Sequence, residues 1–200
     1  MILVDGKIGS TATFINGGER IELKPLPKHR SSKILNLELE VVYEDEYLAV
    51  INKPAGILVS GNKFKTVANA LVQNLKKSNV GDGVSPQPVH RLDYPTTGLL
   101  LVGKTSSSIV ALNQLFEKKL INKIYHSVTI GEMETKGRIS LPIDDKLSIS
   151  EFKVLQTVVS ERFGYLNLVE LFPRTGRRHQ LRKHLAAIGN PILGDKDYGS

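Results

Sequence analysis

The order of extended and helical segments constrains this chain most. Runs that read as strands outnumber those that read as helices, and the two kinds do not alternate regularly. Regular alternation would build a doubly wound parallel sheet. Clustered strands with a few helices instead build an α+β domain with a mixed, largely antiparallel sheet and flanking helices. The strand candidates are LELEVVYED and YLAVINKP around an acidic turn, the apolar run GLLLVG, Lys123 to Ile130, SEFKVLQTV and GYLNLVELF. One helix is expected over Thr66 to Lys76, capped by Thr66, with Val67, Ala70, Leu71 and Leu75 on its inner face. A second, capped by Thr105 or Ser106, presents Ile109, Leu112, Leu115 and Phe116. A third runs from Arg178 to Ile188 and stops at Gly189, with Pro191 beyond.

Ahead of these, residues 1–23 read as short strands, ILVDGKI, ATFI and GGERIEL, around turns at Asp5-Gly6 and Gly17-Gly18. Residues 24–37, rich in Pro, Lys and Ser, read as a linker to a main domain over 38–200. No apolar run is long enough to cross a bilayer, and the start MILVDGKIGS lacks the layout of a signal peptide. The chain has no cysteine, so it has neither a disulfide nor a Cys-based zinc site. A cytoplasmic location is expected.

Charge narrows the partners. The formal net charge of +7 favours a polyanion, either nucleic acid or anionic lipid. Arg174, Arg177, Arg178, Arg182 and Lys183 crowd one stretch together with His179.

Three segments could carry chemistry. In VHRLDYPTTG, a carboxylate, Asp93, stands between a basic residue and turn formers at the mouth of the GLLLVG strand, where a rigid element can aim it. A turn-capping aspartate would look the same. In KIYH, alternation sets Tyr125, Ser127 and Thr129 on the face opposite Ile124, His126, Val128 and Ile130. Tyr125 is thus expected on the polar side of the sheet, able to stack on a base or move a proton, or else to cover the rim of the core. In PRTGRRHQLRKHLAAIG, Leu181, Leu185 and Ile188 share a helix face, with Arg178 and Arg182 one turn apart beside it. The helix N-terminus behind Thr-Gly-Arg is a natural phosphate seat. His179 and His184 lie five apart and point in different directions, so no metal site is expected.

In this order the segments resemble the RluA-type RNA pseudouridine synthases. The likeness begins at YEDEYLAVINKPAGILV and continues through HRLD with its Thr-Gly, K-x-Y, TGRxHQxRxH and G-x-P-I-x-GD-x-x-YG, over about Leu39 to Gly199. Residues 1–23 resemble part of an S4-like RNA-binding module. Thr97 stands where the family commonly has Ser, and Arg178 and Lys183 stand where smaller or apolar residues are frequent. Relatives usually continue beyond Tyr198-Gly199-Ser200 through a further strand and helix. Stopping there is expected to uncover a sheet edge, lowering stability or promoting self-association.

The resemblance implies isomerisation of uridine to pseudouridine in rRNA or tRNA, with no cofactor, metal or membrane partner. It implies Asp93 as the catalytic carboxylate, Arg182 as its charge partner holding its pKa down, and Tyr125 against the base. Arg91 would help hold the flipped-out conformation, with His90, Arg174, Arg177, Arg178, His179 and Lys183 as further RNA contacts. Whether Asp93 attacks C1′ or assists loss of the 2′ proton stays open. Two other classes remain: an inactive RNA-binding protein that keeps the fold, and a sugar hydrolase, which would need a second carboxylate near Asp93.

Overall fold

The computed structural model describes residues 2–10, 12–24 and 34–199. Its elements form three antiparallel sheets and three helices. The first sheet is small, in the order β2-β1-β3, from β1 (Ile2–Val4), β2 (Lys7–Ile8) and β3 (Ile21–Leu23). Asp5 and Gly6, both at positive φ, make the β1–β2 turn expected at Asp5-Gly6. The expected ATFI strand is absent. Residues 12–15 are irregular and Phe14 is exposed, because no neighbouring strand pairs with them.

The second sheet runs β4-β5-β7-β6, from β4 (Glu40–Glu44), β5 (Leu48–Lys53), β6 (Gly83–Pro88) and β7 (Gly98–Thr105). The sequence reading missed β6, whose prolines at 86 and 88 argue against a strand. It survives as an edge strand, where a missing N–H costs little, and its register slips between Gly83 and Gln87. GLLLVG is not buried on both faces: Leu100 and Val102 are buried while Leu99 is exposed. Helix α1 (Val67–Asn74) packs Val67, Ala70 and Leu71 into this core, its first turn closed by the Thr66 hydroxyl accepting from Asn69 N–H. Helix α2 (Ser106–Glu117) starts at Thr105 in a capping box with Ser108. It lies so close to β7 that a Cβ at Gly103 would sit 2.4 Å from Ile109 Cγ1.

Residues 25–33 of the expected linker lie outside the described residues. Its far end packs onto the body: Leu35 and Leu37 rest on the first core, Leu35 N–H donates to Asn69 O, and the Gln73 and Asn74 amides donate to Leu37 O.

The third sheet runs β8-β11-β10-β9, from β8 (Tyr125–Ile130), β9 (Lys136–Ser140), β10 (Ile149–Ser160) and β11 (Gly164–Pro173). Helix α3 (Gln180–Ala187) covers it, and Ile139, Phe152, Val169, Leu171 and Leu185 form the second core. All strand pairs in these sheets are antiparallel; a lone parallel bridge links Leu58 and Thr66. No described helix is long and apolar enough to cross a membrane.

Strand β8 corrects the sequence reading. Its two faces alternate as expected, but Tyr125, Ser127 and Thr129 are the inner row, and Ile124 and Val128 are exposed, Ile124 at 58%. The buried Thr129 at the end of this row meets Asn167 at 3.5 Å, and Asn167 in turn donates to Gly131 O and accepts from the Thr157 hydroxyl. Tyr125 therefore packs against both cores, at the seam between the two large sheets.

A candidate active site at the seam between the two cores

The loop from β6 to β7 carries Asp93, and the surrounding chain holds it tightly. Val89 N–H donates to Leu101 O, and the Asp93 carbonyl accepts from Thr96 N–H to close a turn. The buried Lys53, at the end of β5, reaches under the loop and donates to the carbonyls of Pro54 and Thr96 at 2.9 and 2.8 Å, with Tyr94 O at 3.4 Å. Burial pulls the Lys53 pKa down, and the Asp93 carboxylate opposes that shift. Lys53 belongs to the NKPAG match and received no role from the sequence. Its signal is a lysine at the end of an apolar strand, where a solvated lysine has no place.

Asp93 faces α3. Its carboxylate stands 4.0 Å from Arg182 Nη1 and 3.8 Å from His179 Nε2, with the side chain 21% exposed. Burial raises the Tyr125 pKa, and the Asp93 charge raises it further, which puts that phenol within electrostatic reach of the carboxylate. Three separate motifs are therefore drawn to one site, with His179 and Arg182 within 4.0 Å of Asp93 and Tyr125 in reach of its charge.

Arg182 is held more firmly elsewhere. Its Nε and Nη2 form a bidentate pair with Asp195 at 2.6 and 2.7 Å, and Nη2 also donates to Asp197 at 2.6 Å. These bonds raise its pKa, while the Arg182 bonds lower that of Asp195. The guanidinium lies over the Tyr198 ring at 4.9 Å, and the Tyr198 hydroxyl meets His179 Nδ1 at 3.0 Å. The GD-x-x-YG segment is thus the mount for Arg182 and His179. The sequence reading matched the segment without assigning it this job.

Much of the TGRxHQxRxH motif is scaffolding. Helix α3 begins at Gln180, two residues later than expected, because His179 adopts a left-handed conformation at φ 54°. Arg178 is therefore outside the helix and does not pair with Arg182 across a turn. Buried Gln180 accepts from the Thr175 hydroxyl and Arg177 N–H, and donates to Ile149 O and Ser150 Oγ. His184 donates from Nε2 to Leu141 O, so its Nδ1 accepts from the Ser150 hydroxyl; burial lowers its pKa to match that neutral form.

The expected RNA contacts separate into two groups. Arg174 is engaged by Glu151 at 2.6 Å, Lys183 approaches Asp144 at 3.4 Å, and Arg177 Nη2 reaches Leu147 O at 3.4 Å. Arg91 and Arg178 are exposed and have no carboxylate partner among the described residues. His90 serves the loop itself: Nε2 accepts from Leu101 N–H, the ring stacks on Phe116 at 4.7 Å, and burial lowers its pKa to about 4. Next to it opens a cleft of about 520 Å³ lined in part by Lys123, Phe172, Arg174 and Gly176.

An α+β body with a loop carboxylate, Asp93, facing arginine, histidine and tyrosine across a sheet seam defines the class of protein. Residues 47–187 match the family model described as RNA pseudouridylate synthase, and the chain belongs to that family. It is 34% identical to the ribosomal large subunit pseudouridine synthase D of Zymomonas mobilis over 88% of this chain and 60% of that protein. It is also 34% identical to the ribosomal large subunit pseudouridine synthase C of Rickettsia bellii, over 100% and 74%. The tRNA pseudouridine synthase C of Pasteurella multocida is 34% identical over 82% and 75%. Human RNA Pseudouridylate Synthase Domain Containing 4 superposes with a TM-score of 0.68 at 26% identity, over 80% of this chain and 69% of that one. The chain spans 60% and 65% of the length of two large-subunit relatives, the D synthases of Zymomonas mobilis and Pseudomonas aeruginosa.

Proposed function

We propose that this chain isomerises uridine to pseudouridine in rRNA or tRNA, the two RNA classes named for its relatives, and works in the cytoplasm where those RNAs are found. The observation that carries the proposal is the convergence of Asp93 with Arg182, His179 and Tyr125 at the seam.

The target uridine must leave its stack to reach Asp93, because the N1–C1′ bond is inaccessible inside a helix. Breaking that bond builds positive charge at C1′, which the Asp93 carboxylate stabilises or captures. Arg182, fixed in plane by Asp195 and Asp197, keeps a permanent positive charge beside Asp93. The freed uracil turns, C5 bonds to C1′ as the carboxylate releases that carbon, the C5 proton is lost to a base, and N1 takes up a proton, so the product is an isomer. Tyr125 lies against the base and has a raised pKa, so it stays protonated until a base withdraws its proton. Arg91 and Arg178 grip the flanking phosphates. Residues 1–23 act as an S4-like RNA-binding segment ahead of the catalytic body.

Incubating the protein with [5-³H]uridine-labelled rRNA and tRNA transcripts tests this directly. Release of tritium supports isomerisation, since only bond formation at C5 frees the label. RNA binding without release would favour a docking protein, and free uracil would favour a hydrolase.

A further inference from the structure

A second cleft, of about 530 Å³, adjoins the Asp93 loop at Tyr94 and is lined by Gly56, Leu58, Lys63, Lys65 and Tyr94. The mechanism above uses none of these side chains. Tyr94 follows Asp93 directly, so its Cα lies about 3.8 Å from that of Asp93. The residue is 56% exposed, although its backbone is fixed: the carbonyl accepts from Gly56 N–H at 2.9 Å and has Lys53 Nζ at 3.4 Å. Gly56 turns the chain at φ +76°, and a Cβ built there would lie in ordinary contact with the Tyr94 hydroxyl at 3.9 Å, so the side chain passes close over this turn.

The opposite wall is fixed too. Phe64 O accepts from Thr66 N–H and from the Asn69 amide at 2.7 Å, which ties the Lys63–Lys65 loop to the start of α1. Lys63 and Lys65 are exposed and have no carboxylate partner among the described residues, unlike Arg174 and Lys183. An exposed ring facing two unpaired cations, with no acidic side chain in the lining, suits an anion that carries a flat base.

We infer that this cleft holds the RNA nucleotide next to the flipped uridine, with Tyr94 stacked on its base and Lys63 and Lys65 on its phosphates. The inference deepens the proposed function and rests on it. Strand delivered to Asp93 has to pass Tyr94, and stacking on a fixed ring spares part of the cost of holding an extended strand in place. Stacking reads a base weakly, so the cleft positions RNA more than it selects sequence.

The test is binding of a short fluorescein-labelled oligouridylate to the full chain across a salt series. Tyr94→Ala should weaken binding about tenfold, while Tyr94→Phe, which keeps the ring, should bind like the parent. The Lys63→Gln, Lys65→Gln double variant should flatten the log–log salt slope by about 1.4 units, near 0.7 for each single-strand phosphate that a lysine no longer neutralises. Its substitutions lie on an exposed loop, so it remains informative even if Tyr94→Ala unfolds. Parent-like binding by both Tyr94→Ala and the double variant overturns the inference, and so does a parent that does not bind the oligomer. Should the parent and its variants bind as expected yet the parent release no tritium from any RNA, the isomerase reading falls and the cleft stands only as a single-strand RNA site. Tritium release by a parent whose variants bind unchanged leaves isomerisation standing and the cleft refuted.

Discussion

Arg182 bonds Asp195 at 2.6 Å but stands 4.0 Å from Asp93. The arginine expected to pair with the loop carboxylate is therefore anchored first by the chain that follows its own helix. Asp195 is 4% exposed and Asp197 is 64% exposed, so the two anchors should differ in worth. Asp195→Ala leaves a buried guanidinium short of its main partner and should cost about 3 kcal/mol of stability. Asp197→Ala should cost less than about 1 kcal/mol. Urea unfolding of the two variants checks the order, and equal losses would place the anchor elsewhere.

Lys53 should matter nearly as much, though it lies outside the three motifs that suggested chemistry. Lys53→Met keeps the stem and removes the donor shared by Pro54 O and Thr96 O. We expect a loss of about 2–3 kcal/mol, since buried carbonyls are left without a charged donor. Faster amide exchange at Thr96 and Thr97 should accompany it. Unchanged exchange there would mean the loop does not depend on Lys53.

His90 makes the fold sensitive to acid. Its pKa is about 4 in the fold against an ordinary value of 6.5, so between those values the unfolded chain binds more protons. Stability should be full above pH 6.5 and fall as pH drops toward 4, at most by about 1.4 kcal/mol per pH unit from this group. The shift at His184 has the same sign, so the comparison with a variant is what isolates His90. His90→Asn keeps an acceptor for Leu101 N–H and cannot titrate, and its unfolding free energy should vary less over that range. Parallel curves for parent and variant would contradict the role given to His90.

The basic cluster should not act uniformly. Arg178→Ala should flatten the salt dependence of RNA binding by about one unit, whereas Arg174→Ala should change it less because Glu151 already holds that side chain. Glu151→Gln should then steepen the parent slope by releasing Arg174. Fluorescence titrations across a salt series read all three, and equal slopes for the two arginine variants would contradict this division.

Thr66 and Thr105 were legible as caps because a hydroxyl ahead of a 3.6-period apolar pattern has a local cause. Strand β6 was not, because its prolines are tolerated only through an edge position set by the rest of the sheet. Strand β9 was missed for a similar reason: Gly137 is there because the Phe152 ring occupies the space of a side chain, a cross-strand fact. Alternation in β8 divided the residues correctly into two rows but could not say which faced inward, since the buried Thr129 finds its polar neighbour in Asn167, distant in sequence. At the site, motif order brought Asp93, Tyr125 and Arg182 forward together. The mount built from Asp195, Asp197 and Tyr198 depends on the chain folding back after α3, which no local pattern encodes.

If the Asp93 carboxylate starts the chemistry, as proposed, and does not hold the RNA, its two roles separate in one experiment. Tritium release from [5-³H]uridine-labelled rRNA and tRNA transcripts is measured with the parent and with Asp93→Asn, each also titrated with the same RNA. Asn has nearly the same shape and should preserve the fold and the phosphate contacts. The parent should release tritium, Asp93→Asn should release none above background, and their RNA affinities should agree within about twofold. Measurable turnover by Asp93→Asn would contradict the role given to Asp93.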